Sequence, residues 1–184
     1  MKPKIYNNFL DKSYSELLNK TIFENSDFSW YYLNNISGWR NVSVDGVNFS
    51  KNQSGFYHVA YADGMQQSNL FLLLLPFIHR IEEKFDVTVK NLMRVRIGMN
   101  LNIGEVGSHY PHTDLDVPNY TLLYYIDESD GDTIFYKGSN DNLKVDFKNP
   151  HTQNQAVLFD GLTMHSSSSP IKYDKRTTIN INFA

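Results

Sequence analysis

The chain has 184 residues, 41% hydrophobic, 14% aromatic and 20% charged, which is enough apolar content for one well-buried domain and too much for a disordered segment. Seventeen Lys and Arg against twenty Asp and Glu give a net charge of −3, so no nucleic-acid partner is expected; the lack of cysteine excludes disulfides, thiolate zinc sites and thiol nucleophiles. MKPKIYNNFLDKS carries no signal-peptide apolar region, and Phe71 to Ile78, interrupted by Pro76, falls far short of the ~20 residues that cross a bilayer. The expectation is a cytoplasmic protein (of a cell or, if phage-encoded, of its host) with no membrane partner.

Ser13-x-x-Glu16 reads as a capping box opening a first helix, with Tyr14, Leu17, Leu18 and Ile22 as its apolar stripe. Val42-Ser43-Val44 and Val47-Asn48-Phe49 flank Asp45-Gly46, a hairpin signal. A second helix is predicted over about 68–85, where Leu70, Leu74, Phe77, Ile78, Ile81 and Phe85 recur at helical spacing and Pro76 marks a kink or fresh start. From Leu92 the period changes to that of strands, predicted at 92–103, 110–116, 119–126, 132–137, 143–147, 155–160, 162–166 and 175–183. Turn residues such as Asp130-Gly131, Gly138-Ser139-Asn140-Asp141 and Asn149-Pro150 separate several of them. The chain therefore reads as mainly β with flanking helices, a barrel or jelly roll buttressed by N-terminal helices. One domain is expected, with 1–91 as a supporting front end and 92–184 as the barrel.

Two strands alternate cleanly. Met93, Val95, Ile97, Met99, Leu101 and Ile103 interleave with Arg94, Arg96, Gly98, Asn100 and Asn102. Ile179, Ile181 and Phe183 interleave with Arg176, Thr178, Asn180 and Asn182. The polar faces are either ordinary solvent faces or the wall of a wet cavity inside the barrel.

His112-Thr113-Asp114 is the most informative triplet, because side chains two apart on a strand share a face. Chance supplies roughly 0.5 His-x-Asp triplets in such a composition, so its context decides. His165, with fifty residues intervening after Asp114, is available as a third ligand. Two imidazoles and one carboxylate make a facial triad suited to non-heme Fe(II). Eleven residues past His165, Arg176 opens the last strand beside Thr178 and needs an anionic partner if buried. A small dicarboxylate can pair with it bidentately.

Over 92–184 the chain resembles the Fe(II)/2-oxoglutarate-dependent oxygenases, in particular their prolyl 4-hydroxylase-like group and its small microbial and phage-encoded members. The resemblance rests on His112-x-Asp114, the Thr121–Ile126 run, Gly131-Asp132-Thr133-Ile134-Phe135, the Ala156–Gly161 run leading to His165-Ser166, and Arg176-x-Thr178. The front end is similar only in style, with Asn8-Phe9-Leu10 entering a helix. The resemblance implies a double-stranded β-helix, a cupin-like jelly roll, with Fe(II) on His112, Asp114 and His165. It implies 2-oxoglutarate as cosubstrate with its far carboxylate on Arg176, supported by Tyr125 and Thr178. O2 would be consumed, succinate and CO2 released, and a peptidyl (prolyl included) or small-molecule C–H bond hydroxylated, with ascorbate as the reductant in assays. Retention of Asp114 favours hydroxylation over halogenation.

Where prolyl hydroxylases carry a Tyr about ten residues before the metal His, this chain has Asn102, retained as a cosubstrate contact. Lys175 is a rival to Arg176 but alternates to the other face. His109 and Tyr110 are weighed as substrate contacts, and Asp116 as a rival carboxylate. His58, His79 and His151 have no ligand partner at useful spacing, and Ser166–Ser169 lacks a nucleophile elbow. Trp30, Tyr31, Tyr32 and Trp39 read as packing residues, with the 40–67 stretch as an alternative lid. A cupin-type metal enzyme without 2-oxoglutarate and a non-catalytic jelly-roll binding module are the other functional classes. A nucleic-acid demethylase is disfavoured by the net charge. Oligomeric state is not legible.

Overall fold

The structure, a computed structural model, describes residues 2–37, 42–138 and 142–184. In chain order it comprises β1 (Lys4–Tyr6), α1 (Lys12–Asn19) running on into a wider π-type turn (Lys20–Glu24), β2 (Tyr31–Leu33), β3 (Gly55–Ala62), β4 (Met65–Gln66) and α2 (Leu70–Phe85). The second half follows as β5 (Leu92–Leu101), β6 (Tyr120–Tyr125), β7 (Thr133–Lys137), β8 (Lys144–Asn149), β9 (Ala156–Asp160), β10 (His165–Ser167) and β11 (Lys175–Phe183). A major antiparallel sheet runs β1-β9-β6-β11-β5-β3-β2, with β4 paired to β3. A minor sheet runs β10-β7-β8. This is the expected mainly β jelly roll, a double-stranded β-helix with helices laid on one side.

The period-two pattern of β5 and β11 explains the layering. In their ladder Val95 pairs with Ile181 and Ile97 with Ile179, so those apolar side chains share one face. That face buries against the Leu70, Leu74, Phe77, Ile81 and Phe85 stripe of α2, with Leu18 and Ile22 from the first helix in the same cluster. The opposite face carries Arg94, Arg96, Gly98, Asn100, Arg176, Thr178 and Asn180, and all of these line a cavity. Of the two readings of those polar faces, the cavity wall is the correct one. Leu123, Tyr125, Phe135, Val157 and Phe159 form a second apolar cluster between the two sheets.

Several local expectations are corrected. The first helix starts at Lys12, not Ser13; Asp11 is its N-cap, and no side-chain cap bond forms because the Asp11 carboxylate meets Arg80 of α2 instead. Asp45-Gly46 is a turn, with Gly46 at φ 73°, but its flanks form no hairpin ladder. Val44 packs with Ile134, Tyr136 and Leu143 on the minor sheet, so burial there outweighs local pairing. The 110–116 strand is reduced to a single bridge between His112 and His165, since Pro111 has no N–H to donate to a ladder. Within the stretch weighed as a lid, 55–62 is a strand of the major sheet paired to β5. Trp39 and the start of that stretch lie outside the described residues, as do Ser139, Asn140 and Asp141 of one expected turn. Three further strands in the front half, β1, β2 and β4, went unforeseen because each is three residues or fewer. Among the described residues no helix is long and apolar enough to cross a membrane.

Phe9 joins the front end to this core. It is fully buried, with the rings of Phe77, Phe85 and Tyr124 at 5.7, 6.1 and 6.0 Å. Phe9→Ala is expected to destabilise the protein by about 3–5 kcal/mol in urea unfolding, the usual cost of a buried aromatic deletion. A loss below about 1 kcal/mol would show that this packing does not hold the front end in place.

Candidate metal centre and its cavity

The cavity lies between the polar face of the major sheet and the minor sheet, and its volume is about 310 Å³. At one end His112, Asp114 and His165 come together, each offering one ligand atom, with all three atoms within 4.8 Å of one another. His112 and His165 exchange both backbone hydrogen bonds, at 2.9 and 3.0 Å, although 53 positions separate them. Each imidazole has its Nδ1 3.0 Å from a carbonyl two residues back, Tyr110 for His112 and Thr163 for His165. A carbonyl only accepts, so Nδ1 carries the proton and Nε2 keeps its lone pair for another ligand. Phe159, with its ring 4.9 Å away and edge-on, fixes the His165 plane.

Asp114 is buried to 8% side-chain exposure and accepts from Arg94 at 3.0 Å on one oxygen and from Asn180 at 2.7 Å on the other. Burial alone would raise its pKa. The surrounding His165, Arg94, His112 and Asn180 outweigh burial and bring it to about 2. Burial, with His165 adding to it, brings His112 down to about 4. At neutral pH the cluster thus presents a carboxylate and an imidazole lone pair, which is the donor chemistry of a divalent first-row metal site. By that chemistry the residues fit Fe(II).

Arg176 sits at the other end of the same wall. It is 4% exposed, donates from Nε to the Gly131 carbonyl at 2.8 Å and from Nη2 to Thr133 Oγ1 at 2.7 Å. Among the described residues it forms no salt bridge, and its Nη1 makes no hydrogen bond. Thr133 Oγ1 also accepts from the Tyr125 hydroxyl at 2.8 Å, which itself accepts from Asn149 at 3.0 Å. With both bonds arriving at its oxygen, the Thr133 hydroxyl keeps its proton for a group in the cavity. Gly98 lies midway along the wall: a Cβ there would meet nothing nearer than Thr178 Oγ1 at 3.9 Å. The cavity therefore stays open between its cationic end and its histidine end.

The remaining expected residues fall in different places. Thr178 lines the cavity. Tyr125 does not; it is fully buried behind Thr133 and meets Arg176 both through that hydroxyl and directly, with the guanidinium over its ring at 5.7 Å. Asn102 is not brought to the cavity. β5 ends at Leu101, and Asn102 turns outward to donate to the Ile171 carbonyl and accept from the Gly104 N–H. Asn100, two residues earlier, occupies the wall and donates to Ser167. His109 and Tyr110 also lie off the wall: His109 is buried against Ser167 and Tyr110 packs its ring against Phe49. Asp116 lines the cavity outside the three-residue cluster and accepts from Thr113. His58 is tied to Ser29 and Ser68, and His151 to Asp127, consistent with structural roles. Arg94 and Asn180 were not singled out from sequence, though the alternation of β5 and β11 carried the signal.

No protein-family model and no curated protein sequence matches this chain. Solved structures do. A 2OG-Fe(II) oxygenase family oxidoreductase from Burkholderia pseudomallei superposes with TM-score 0.66 at 9% identity, covering 99% of this chain and 84% of the other. A prolyl-4-hydroxylase from Pseudomonas putida gives TM-score 0.61 at 10% identity, covering 98% and 91%. A prolyl hydroxylase from Trichoplax adhaerens, in complex with a hypoxia inducible factor oxygen degradation domain peptide fragment, gives 0.59 at 19%, covering 98% and 82%. The chain thus has the double-stranded β-helix fold of 2OG-Fe(II) oxygenase and prolyl hydroxylase structures, with a two-histidine, one-carboxylate cluster at one end of its cavity.

Proposed function

We propose that this protein is an Fe(II)- and 2-oxoglutarate-dependent dioxygenase, a hydroxylase of a C–H bond in a peptidyl (prolyl included) or small-molecule substrate. The observation that carries the reading is the pairing, in one cavity, of a three-donor cluster with a buried guanidinium that has no carboxylate partner among the described residues. His112, Asp114 and His165 would hold the iron through two Nε2 atoms and one carboxylate oxygen. Bound there, Fe(II) supplies the place where O2 and 2-oxoglutarate react, one oxygen atom ending in succinate as CO2 leaves and the other in the new hydroxyl group.

The chain's own residues position the reactants. Arg176 Nη1 and the Thr133 hydroxyl take the far carboxylate of 2-oxoglutarate, with Thr178 beside them, and Tyr125 holds Thr133 in register. Arg94 and Asn180 keep Asp114 ionised and fix the direction of its oxygens. Leu123 lines the cavity from the apolar cluster between the sheets and limits water around the cosubstrate. A metal enzyme that used no 2-oxoglutarate would leave Arg176 buried without an anion, a costly arrangement.

Succinate release from 2-oxoglutarate with Fe(II), O2 and ascorbate tests the reading. Two variants separate the roles. His165→Ala is expected to lower Mn(II) affinity by about 100-fold or more. Arg176→Ala is expected to leave metal affinity in place and weaken 2-oxoglutarate by about 10- to 100-fold. Both are measured by titration calorimetry, and identical behaviour of the two would contradict the assignment. Gly98→Leu places a side chain in the open middle of the cavity. It is expected to keep thermal stability while weakening 2-oxoglutarate by about tenfold or more; undiminished binding would mean the cosubstrate does not span this wall.

A further inference from the structure

The cavity contains a guanidinium that the proposed reaction leaves unused. Arg96 lines it from β5, with Asn180 as its partner across the ladder, whereas Arg176 pairs with Asn100. Four residues of register put Arg96 and Arg176 about 13 Å apart along the sheet. Because Asn180 donates to Asp114, Arg96 stands level with the metal cluster while Arg176 marks the far end. Arg96 lies over the Tyr57 ring at 5.2 Å and makes no hydrogen bond or ion pair among the described residues. The two carboxylates of the wall are already engaged, Asp114 by Arg94 and Asn180, and Asp116 by Thr113.

Arg94, Arg96 and Arg176 against Asp114 and Asp116 leave the wall with one positive charge in excess. A divalent ion and a dianionic cosubstrate cancel each other and leave that excess in place. Of the three guanidiniums, Arg94 is paired with Asp114 and Arg176 is hydrogen-bonded to Gly131 and Thr133, whereas Arg96 has no such partner among the described residues, so the excess is assigned to Arg96. Burying it under a substrate is unfavourable unless the substrate brings a negative charge. A single excess charge matches a carboxylate better than a dianionic phosphate, and the planar guanidinium favours bidentate carboxylate recognition.

We infer that the substrate of the oxygenase proposed above carries a carboxylate that docks on Arg96, next to the C–H bond presented to the metal cluster. The inference rests on that functional reading for the word substrate, and on Arg96 alone for the anion. Tyr31 packs against Tyr57 with ring centroids 5.7 Å apart and is exposed, so the rest of the substrate has an aromatic rim to lie against. A free amino acid or other small acid and an acidic side chain of a peptide share this chemistry.

The test uses the full chain loaded with Zn(II) and 2-oxoglutarate, so that no turnover occurs. It is titrated, with NMR detection, with the N-acetyl amino acids as free acids and as their neutral amides, and with Ac-Ala-Asp-Ala-NH2 beside Ac-Ala-Asn-Ala-NH2. At least one charged probe is expected to bind about tenfold tighter than its neutral counterpart. Free acids ahead identify a small acid; the Asp peptide ahead identifies an acidic peptide. Arg96→Gln is expected to erase the charged preference and keep 2-oxoglutarate affinity within about twofold, and Arg96→Lys to restore part of it. No charged preference in the wild type, or one that survives in Arg96→Gln, overturns the inference. So does a tenfold loss of 2-oxoglutarate affinity in that variant, which would make Arg96 the cosubstrate anchor. The same titration on metal-free protein separates the two failures: if Zn(II) and 2-oxoglutarate do not bind the wild type but the Arg96-dependent preference persists, the oxygenase reading falls and the anion site stands.

Discussion

The register of β11 against β5 is the constraint on which the rest depends. Nine residues of β11 are locked antiparallel to β5, so every second side chain is committed to one face. Ile97, Ile179 and Ile181 go to the helix-covered core, and Arg96, Thr178 and Asn180 go to the cavity. A slip of one residue would bury the arginines under α2 and turn isoleucines into the cavity, which the apolar packing forbids. The same strict alternation sets the spacing between the cationic end of the wall and the level of the histidines, and thereby the length of a molecule that can bridge them.

The metal cluster adds a long-range clasp to this frame. His112 belongs to no regular strand, yet its backbone is fixed to His165 by two hydrogen bonds, and its ring by the Tyr110 carbonyl. Asp114 is placed by charge rather than by backbone, between Arg94 and Asn180 of the major sheet. The three donors thus come from one irregular segment, which holds His112 and Asp114, and one short strand, both tied to the sheets by polar contacts. Such an arrangement keeps imidazole lone pairs and a carboxylate side by side, with His165 Nε2 3.6 Å from an Asp114 oxygen, the condition a cation can exploit.

Much of this was legible in the chain. The alternation over 92–101 and 175–183 predicted both strands closely, because a sheet buried on one face writes its period into the sequence. The helical stripe from Leu70 to Phe85 was equally plain, Pro76 included, since a proline within the helix costs only the bond to the exposed Leu72 carbonyl region. The 2-His, 1-carboxylate grouping followed from spacing and resemblance. Less legible were the positions set by tertiary burial. Asn102 kept the phase of its strand on paper, but the strand stops one residue earlier and the side chain caps the Gly104 turn instead. Tyr125 keeps the cavity-side phase, yet Thr133 stands between it and the open space. The strands β1 and β2 are three residues long and draw their order from the sheet they join, so no local pattern announces them.

Diffraction from crystals soaked without oxygen in Mn(II) and 2-oxoglutarate would locate both groups in the cavity. One anomalous peak bonded to His112, Asp114 and His165 is expected, with 2-oxoglutarate running along the Gly98 wall to place its far carboxylate against Arg176. Metal bound elsewhere, or a cosubstrate whose carboxylate lies away from Arg176 while the histidines stay unligated, would contradict the proposed function.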